Sequence, residues 1–156
     1  MNIGIVGCGT IGSEIALAID KGEIEADLAT IYDIDESKVK GLLSKLQNSS
    51  PKILPPSLLV KEVELVVESA SQKAVQELLP LVIEEGKDIL IMSVGGLIGE
   101  DELIAKAKEK NCKIYIPSGA LAGLDGVQSA KLGGIKSALL ITTKPPQALA
   151  GAPYIE

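Results

Sequence analysis

Gly7-Cys8-Gly9-Thr10-Ile11-Gly12 has the spacing G-x-G-x-x-G directly after an apolar run at 2–6, and no other stretch of the chain is better placed to do chemistry. In that position each glycine has a mechanical task. Gly7 permits a tight turn, Gly9 lets a pyrophosphate approach the backbone, and Gly12 lets the following helix, opened by Thr10 and Ile11, pack against the strand. The phosphates would sit on the helix N-terminus, where unpaired amides and the helix dipole favour an anion. Asp33 lies about 20 residues beyond Gly12, at the end of the next apolar run, from which a carboxylate accepts hydrogen bonds from ribose hydroxyls. The alternative is a solvated acid at a strand end. A 2′-phosphate would meet a like charge at Asp33, and the chain has no arginine to neutralise it. The pattern therefore predicts NAD in preference to NADP, with Lys38 available to serve NADP.

Three further small-residue turns follow apolar runs: Ser69-Ala70-Ser71, Ser93-Val94-Gly95-Gly96 and Ser118-Gly119-Ala120. In an open α/β sheet ligands bind outside the carboxyl ends of the strands. Small side chains there let backbone amides reach a ribose, a nicotinamide or its carboxamide. The serines read equally well as ordinary turn and N-cap residues. Asp125 reads as a helix cap more readily than as a cleft residue, Lys131 and Lys136 as solvated, and Tyr115 as core.

These residues need a scaffold, and the patterning supplies one. The run at 2–6 is apolar on both faces, as in a buried parallel strand. From Ile11 the spacing becomes helical through Ile15, Leu17, Ala18 and Ile19, ending near Lys21-Gly22. A strand at 29–33 and a helix at 36–46, with Val39, Leu42, Leu43 and Leu46 on one face, complete a βαβ unit. Pro51, Pro55 and Pro56 mark 47–61 as the least regular stretch, with no element assigned. Then come a strand at 65–68, a helix at 71–85 that Pro80 should kink or break, a strand at 88–93, a helix at 101–110 and a strand at 113–116. This alternation predicts an α/β fold, a Rossmann-type doubly wound parallel sheet, for the dinucleotide-binding domain at 1–117. After Pro117 a short helix at 123–132 and a strand at 137–143 predict the beginning of a second, α+β domain at 118–156, incomplete in this chain, with a loop-like tail from Lys144. A strand without its sheet is an exposed edge, so 137–143 is expected to pair with another chain or to stay poorly ordered.

Composition narrows the function classes. The chain has 156 residues and carries a net charge of −6, with a pI near 4.8, a balance that repels a nucleic-acid backbone. It contains no His, Arg, Trp or Phe, which removes the usual acid/base group, the usual zinc ligand and the bidentate carboxylate clamp. No metal site is expected, no apolar run approaches the roughly 20 residues that span a bilayer, and no secretory signal precedes the first strand, so the expected location is cytoplasmic. Cys8 and Cys112, far apart in sequence, read as reduced core residues.

The motifs GIVGCGTIG at the start, VESASQKAV at 67–75, MSVGGL at 92–97 and IPSGALAGLDGVQSAKLGGIKSALLITTKPPQAL at 116–149 together resemble the L-aspartate dehydrogenases of archaea and bacteria. The glycine fingerprint is shared widely, whereas SGALAGLD followed by TTKPP is far more specific. The resemblance implies oxidation of L-aspartate by NAD(P) with release of ammonia, the iminoaspartate or oxaloacetate feeding NAD biosynthesis. It implies that the Ala120 amide meets the nicotinamide end of the cofactor. The family's catalytic histidine and most of its substrate domain fall beyond Glu156, so no catalytic residue is assigned within this chain, which resembles the family's N-terminal part. A homodimer is the expected assembly. Two alternatives stand beside this: a non-catalytic NAD-binding module, or a relative of homoserine dehydrogenase or dihydrodipicolinate reductase.

Overall fold

The computed structural model describes residues 1–119 and 123–146. The chain divides into two compact units, Met1–Gly119 and Ala120–Glu156.

In the first unit, strands β1 (Asn2–Val6), β2 (Asp27–Tyr32), β3 (Lys52–Ile53), β4 (Leu65–Glu68), β5 (Asp88–Ile91) and β6 (Ile114–Tyr115) form one sheet in the order β3-β2-β1-β4-β5-β6. Every pairing is parallel. This is the doubly wound order in which chain direction across the sheet reverses between β1 and β4. Side chains alternate between two cores because successive strand residues point to opposite faces. Ile3, Ile5, Leu28, Ile31 and Val67 pack with Ala16 and Ile19 of α1 (Thr10–Asp20) and with Val39 and Leu42 of α2 (Glu36–Leu43). On the other face Val6, Val66, Ile89 and Ile91 pack with α3 (Pro56–Glu62), α4 (Gln72–Glu84) and Ala107 of α5 (Asp101–Glu109).

The irregular stretch around the prolines contains two elements, the short edge strand β3 and helix α3. Pro56 occupies the first helical position, where its missing N–H costs nothing, after Pro55 as an extended N-cap. Helix α4 does not break at Pro80. Pro80 and Gln76, the residue whose carbonyl the proline cannot bond, are both exposed, on the side of the helix away from the core. On the opposite side Val75, Leu78, Leu79, Val82 and Ile83 are buried, at about 1.5–3 kcal/mol each, which outweighs the ~3 kcal/mol cost of a mid-helix proline. Tyr115 is not core. It is 42% exposed on edge strand β6, where no further strand among the described residues pairs with it, and its hydroxyl lies 3.4 Å from Asp88 Oδ2. Cys8 and Cys112 are free and buried.

The second unit contains α6 (Leu124–Ala130) and a 3-10 turn at Lys131–Gly133. The N-cap of α6 is Gly123, in the left-handed region, so Asp125 falls inside the first turn instead of capping it. The strand expected at 137–143 does not form. Leu139, Leu140 and Ile141 are exposed, and an apolar run becomes a strand only when a neighbour takes up its backbone hydrogen bonds. Most of the expected tail, 147–156, lies outside the described residues, as does Ala120.

Candidate functional site

The site grows from the junction of β1 and α1. Gly7 has φ +101°, and its amide donates to the Tyr32 carbonyl at 2.8 Å. A Cβ on Gly7 would lie 2.6 Å from the Ser69 carbonyl group, and one on Gly12 would lie 1.8 Å from Gly7 O. Both glycines are therefore demanded by close backbone approach, which no side chain can share. At Gly9 a Cβ would meet nothing within 4 Å. Gly9 is the N-cap of α1 and no side chain caps the helix; Ser13 Oγ bonds instead to Cys8 O at 3.0 Å. The first-turn amides of Thr10, Ile11 and Gly12 thus have neither an intrahelical acceptor nor a side-chain cap. By contrast, α2 is capped by Asp35 and α4 by Ser71.

Asp33 follows directly on β2 and reaches back to the glycine turn. Its Oδ2 accepts from the Cys8 amide at 2.7 Å and its Oδ1 from the Asp35 amide at 2.8 Å. Each oxygen retains a lone pair for a further donor. The Cys8 thiol beneath it is pushed up to about 11, first by burial and then by the Asp33 charge, with Lys38 pulling the other way. Cys8 is accordingly a protonated thiol at neutral pH and supplies no nucleophile.

A family model described as the NAD-binding domain of homoserine dehydrogenase matches residues 7–117. The chain belongs to this family of NAD-binding domains. Over 159 residues the domain and its continuation are 47% identical to an L-aspartate dehydrogenase of Methanosarcina barkeri, an alignment that covers 100% of this chain and 59% of that protein. The L-aspartate dehydrogenase of Methanothermobacter thermautotrophicus is 40% identical over 152 residues, covering 96% of this chain and 58% of its own length. The chain thus spans well under two thirds of these relatives. Among solved structures, the myo-inositol dehydrogenase of Lactobacillus casei in complex with NAD(H) and myo-inositol superposes with a TM-score of 0.69 at 17% identity, over 86% of this chain and 42% of the other. A homoserine dehydrogenase from Thiobacillus denitrificans gives 0.66 at 19% identity, over 85% and 33%. At these identities the likeness is one of fold.

In the NAD-binding domain a cleft opens where the strand order reverses, lined among others by Gly7, Asp33, Ile34, Ala70, Ser71 and Leu78. Ile34 is 91% exposed and offers an apolar surface at the cleft lip. It was not singled out from the sequence; the signal that could have found it is an apolar residue set between two aspartates after a strand. Of the residues predicted after β4, Ser69 turns inward, its Oγ donating to Gly7 O at 2.9 Å. Ala70 and Ser71 line the cleft, yet their amides bond elsewhere, to the Glu68 carboxylate. Ser93 also bonds to Glu68, and Val94, Gly95 and Gly96 form a 3-10 turn against α4. Gly119 has φ +60°. Lys38 stands in a neighbouring concavity that Gly9 and Thr10 also line.

Proposed function

We propose that this chain is the cofactor-binding portion of an L-aspartate dehydrogenase, and that it uses NAD. The observation carrying the cofactor assignment is the Cys8–Asp33 hydrogen bond, which fixes a carboxylate beside an uncapped helix N-terminus. The open space at Gly9 fits a pyrophosphate. The Thr10, Ile11 and Gly12 amides would hold the phosphates, and Asp33 would accept from the adenosine ribose hydroxyls while repelling a 2′-phosphate. Ile34 would carry the adenine. Bound NAD supplies the hydride acceptor for oxidation of the substrate carbon. The chain's own part is to bind and orient. Val94, Gly95, Gly119 and Ala120 stay in this reading as contacts toward the nicotinamide end, and none of the described residues is assigned the proton transfer.

The substrate assignment follows the likeness to L-aspartate dehydrogenases, among them that of Methanosarcina barkeri. With it go the wider elements of the reading: oxidative deamination feeding NAD biosynthesis, a cytoplasmic location, 118–156 as the opening of a substrate domain, and a homodimer. Exposure of Leu139, Leu140 and Ile141 supports an assembly that covers them.

The test is a fluorescence titration of the chain with NADH and with NADPH, repeated on Asp33→Ala. NADH should bind tighter than NADPH. The substitution should weaken NADH about ten- to a hundredfold, the worth of hydrogen bonds to a charged group, about 1.5–3 kcal/mol. A folded chain that binds neither nucleotide sinks the reading.

A further inference from the structure

Glu68, the last residue of β4, is fully buried, and no ion pair among the described residues involves it. A carboxylate so placed is costly unless hydrogen-bonded. Its Oε1 accepts from the Ala70 amide at 2.8 Å, the Ser71 amide at 2.9 Å and Ser93 Oγ at 2.9 Å, while Oε2 accepts from the Ser93 amide at 2.9 Å. One side chain thus ties the turn after β4 to the turn after β5. The turn after β4 borders the cleft that Asp33 and Ile34 also line; the turn after β5 lies one strand further from β2, on the side that a second nucleotide reaches, because Asp33 draws the adenosine toward β2 and the dinucleotide must cross the point where strand order reverses.

We propose that Glu68 is a positioning residue for the nicotinamide half of the cofactor. It touches no ligand. It takes up the Ala70, Ser71 and Ser93 amides and the Ser93 hydroxyl and so holds the turn after β5 in one arrangement against the turn after β4, as the surface on which the second nucleotide would lie. The assignment deepens the NAD reading above and rests on it.

Glu68→Gln tests it. The isosteric amide replaces one acceptor oxygen with an NH₂. In either orientation at least one N–H of these turns then confronts another donor, while the volume stays the same. The variant and the parent chain are titrated with NADH by fluorescence and with ADP, which occupies only the adenosine half, by calorimetry. Melting curves are recorded alongside. The expected result is a rise in the NADH dissociation constant of about tenfold or more with ADP affinity unchanged within twofold. Equal loss for NADH and ADP, or no loss for either, overturns the assignment. Should Glu68→Gln not fold, Ser93→Ala, which removes one donor to the same carboxylate, must give the same split at smaller size, about threefold for NADH, and its absence counts against the proposal. A parent chain that binds neither ADP nor NADH overturns the NAD reading first and this one with it; one that binds ADP and NADH alike overturns this assignment alone, since the nicotinamide half then adds nothing for Glu68 to position.

Discussion

The two sides of the crevice are held in shape by opposite means. Around β1 and β2 the backbone is shaped by missing side chains: Gly7 and Gly12 let main-chain segments touch, and the first-turn amides of α1 are left without a cap. Around β4 and β5 it is shaped chiefly by a side chain that is present, since the Glu68 carboxylate takes up the amides the turns would otherwise offer, with Gly96 alone of that turn's glycines pressed against backbone, at Gln72 O. The first side can bind an anion directly through its backbone. The second is already satisfied and presents a finished surface. Two runs of small residues that look alike in sequence therefore do different work.

Substitutions at glycine separate the two sides. The largest effect is expected on the first. Gly12→Ala drives a methyl into Gly7 O, and overpacking against immovable backbone costs about 3 kcal/mol. The melting temperature should fall by several degrees and NADH titration should show no saturation; a variant that melts and binds like the parent would break the contrast.

An intermediate effect belongs to a third carboxylate, away from the crevice. Asp20, at the end of α1, accepts from the amides of Gln47, Asn48 and Ser49. Those hydrogen bonds, that of Gln47 foremost, lower its pKa to about 2. A group lowered in the folded state stabilises above its unfolded value, about 3.9, and loses that contribution as pH falls toward 2. Asp20→Asn should therefore melt below the parent at neutral pH, converge with it between pH 4 and 2, and bind NADH as the parent does. A melting difference that stays constant over that range would show that Asp20 acts through something other than its charge.

The smallest effect is expected at Gly95, on the second side. A Cβ there meets chiefly the end of the Gln72 side chain, which can swing away. Gly95→Ala should shift stability by less than about 0.5 kcal/mol, read from the denaturation midpoint. A loss comparable with Gly12→Ala would mean that Gly95 is enclosed as rigidly as Gly12 and that the Gln72 side chain cannot move.

Much of the scaffold was legible because its signals are local. The run at 2–6, the glycine spacing, the stop at Lys21-Gly22 and the helical stripe of α4 each fix conformation within a few residues. Asp33 was legible by its distance from the glycines. What escaped depended on partners distant in sequence. Pro55 and Pro56 read as a loop because a proline marks a helix start only when the helix behind it has something to pack on, here Leu59 and Val60 against β1 and β2. Pro80 was expected to disturb α4, but the face on which its lost bond falls is set by the core. Tyr115 alternates like a core residue and lies on an edge. The run at 137–143 has a strand's composition and no strand beside it. Glu68 gave no signal: an acid ending a strand reads as solvated, and only the meeting of the β4 and β5 turns shows it buried.

The strand order also bears on how the chain comes to be folded. β1, which leaves the ribosome before the other strands of this sheet, lies in the middle of the finished sheet, and its second neighbour arrives late: the Asn2 amide bonds to a carboxylate 62 residues further on, that of Glu64. Until then the parallel pairing of β1 with β2, slow to form, leaves the other edge of β1 bare and open to pairing with other chains. The stretch from α2 to β4 thus sets the interval over which a nascent chain is most exposed to aggregation, and substitutions at Leu59 or Val60 that delay α3 from docking lengthen it although neither residue lines the cleft.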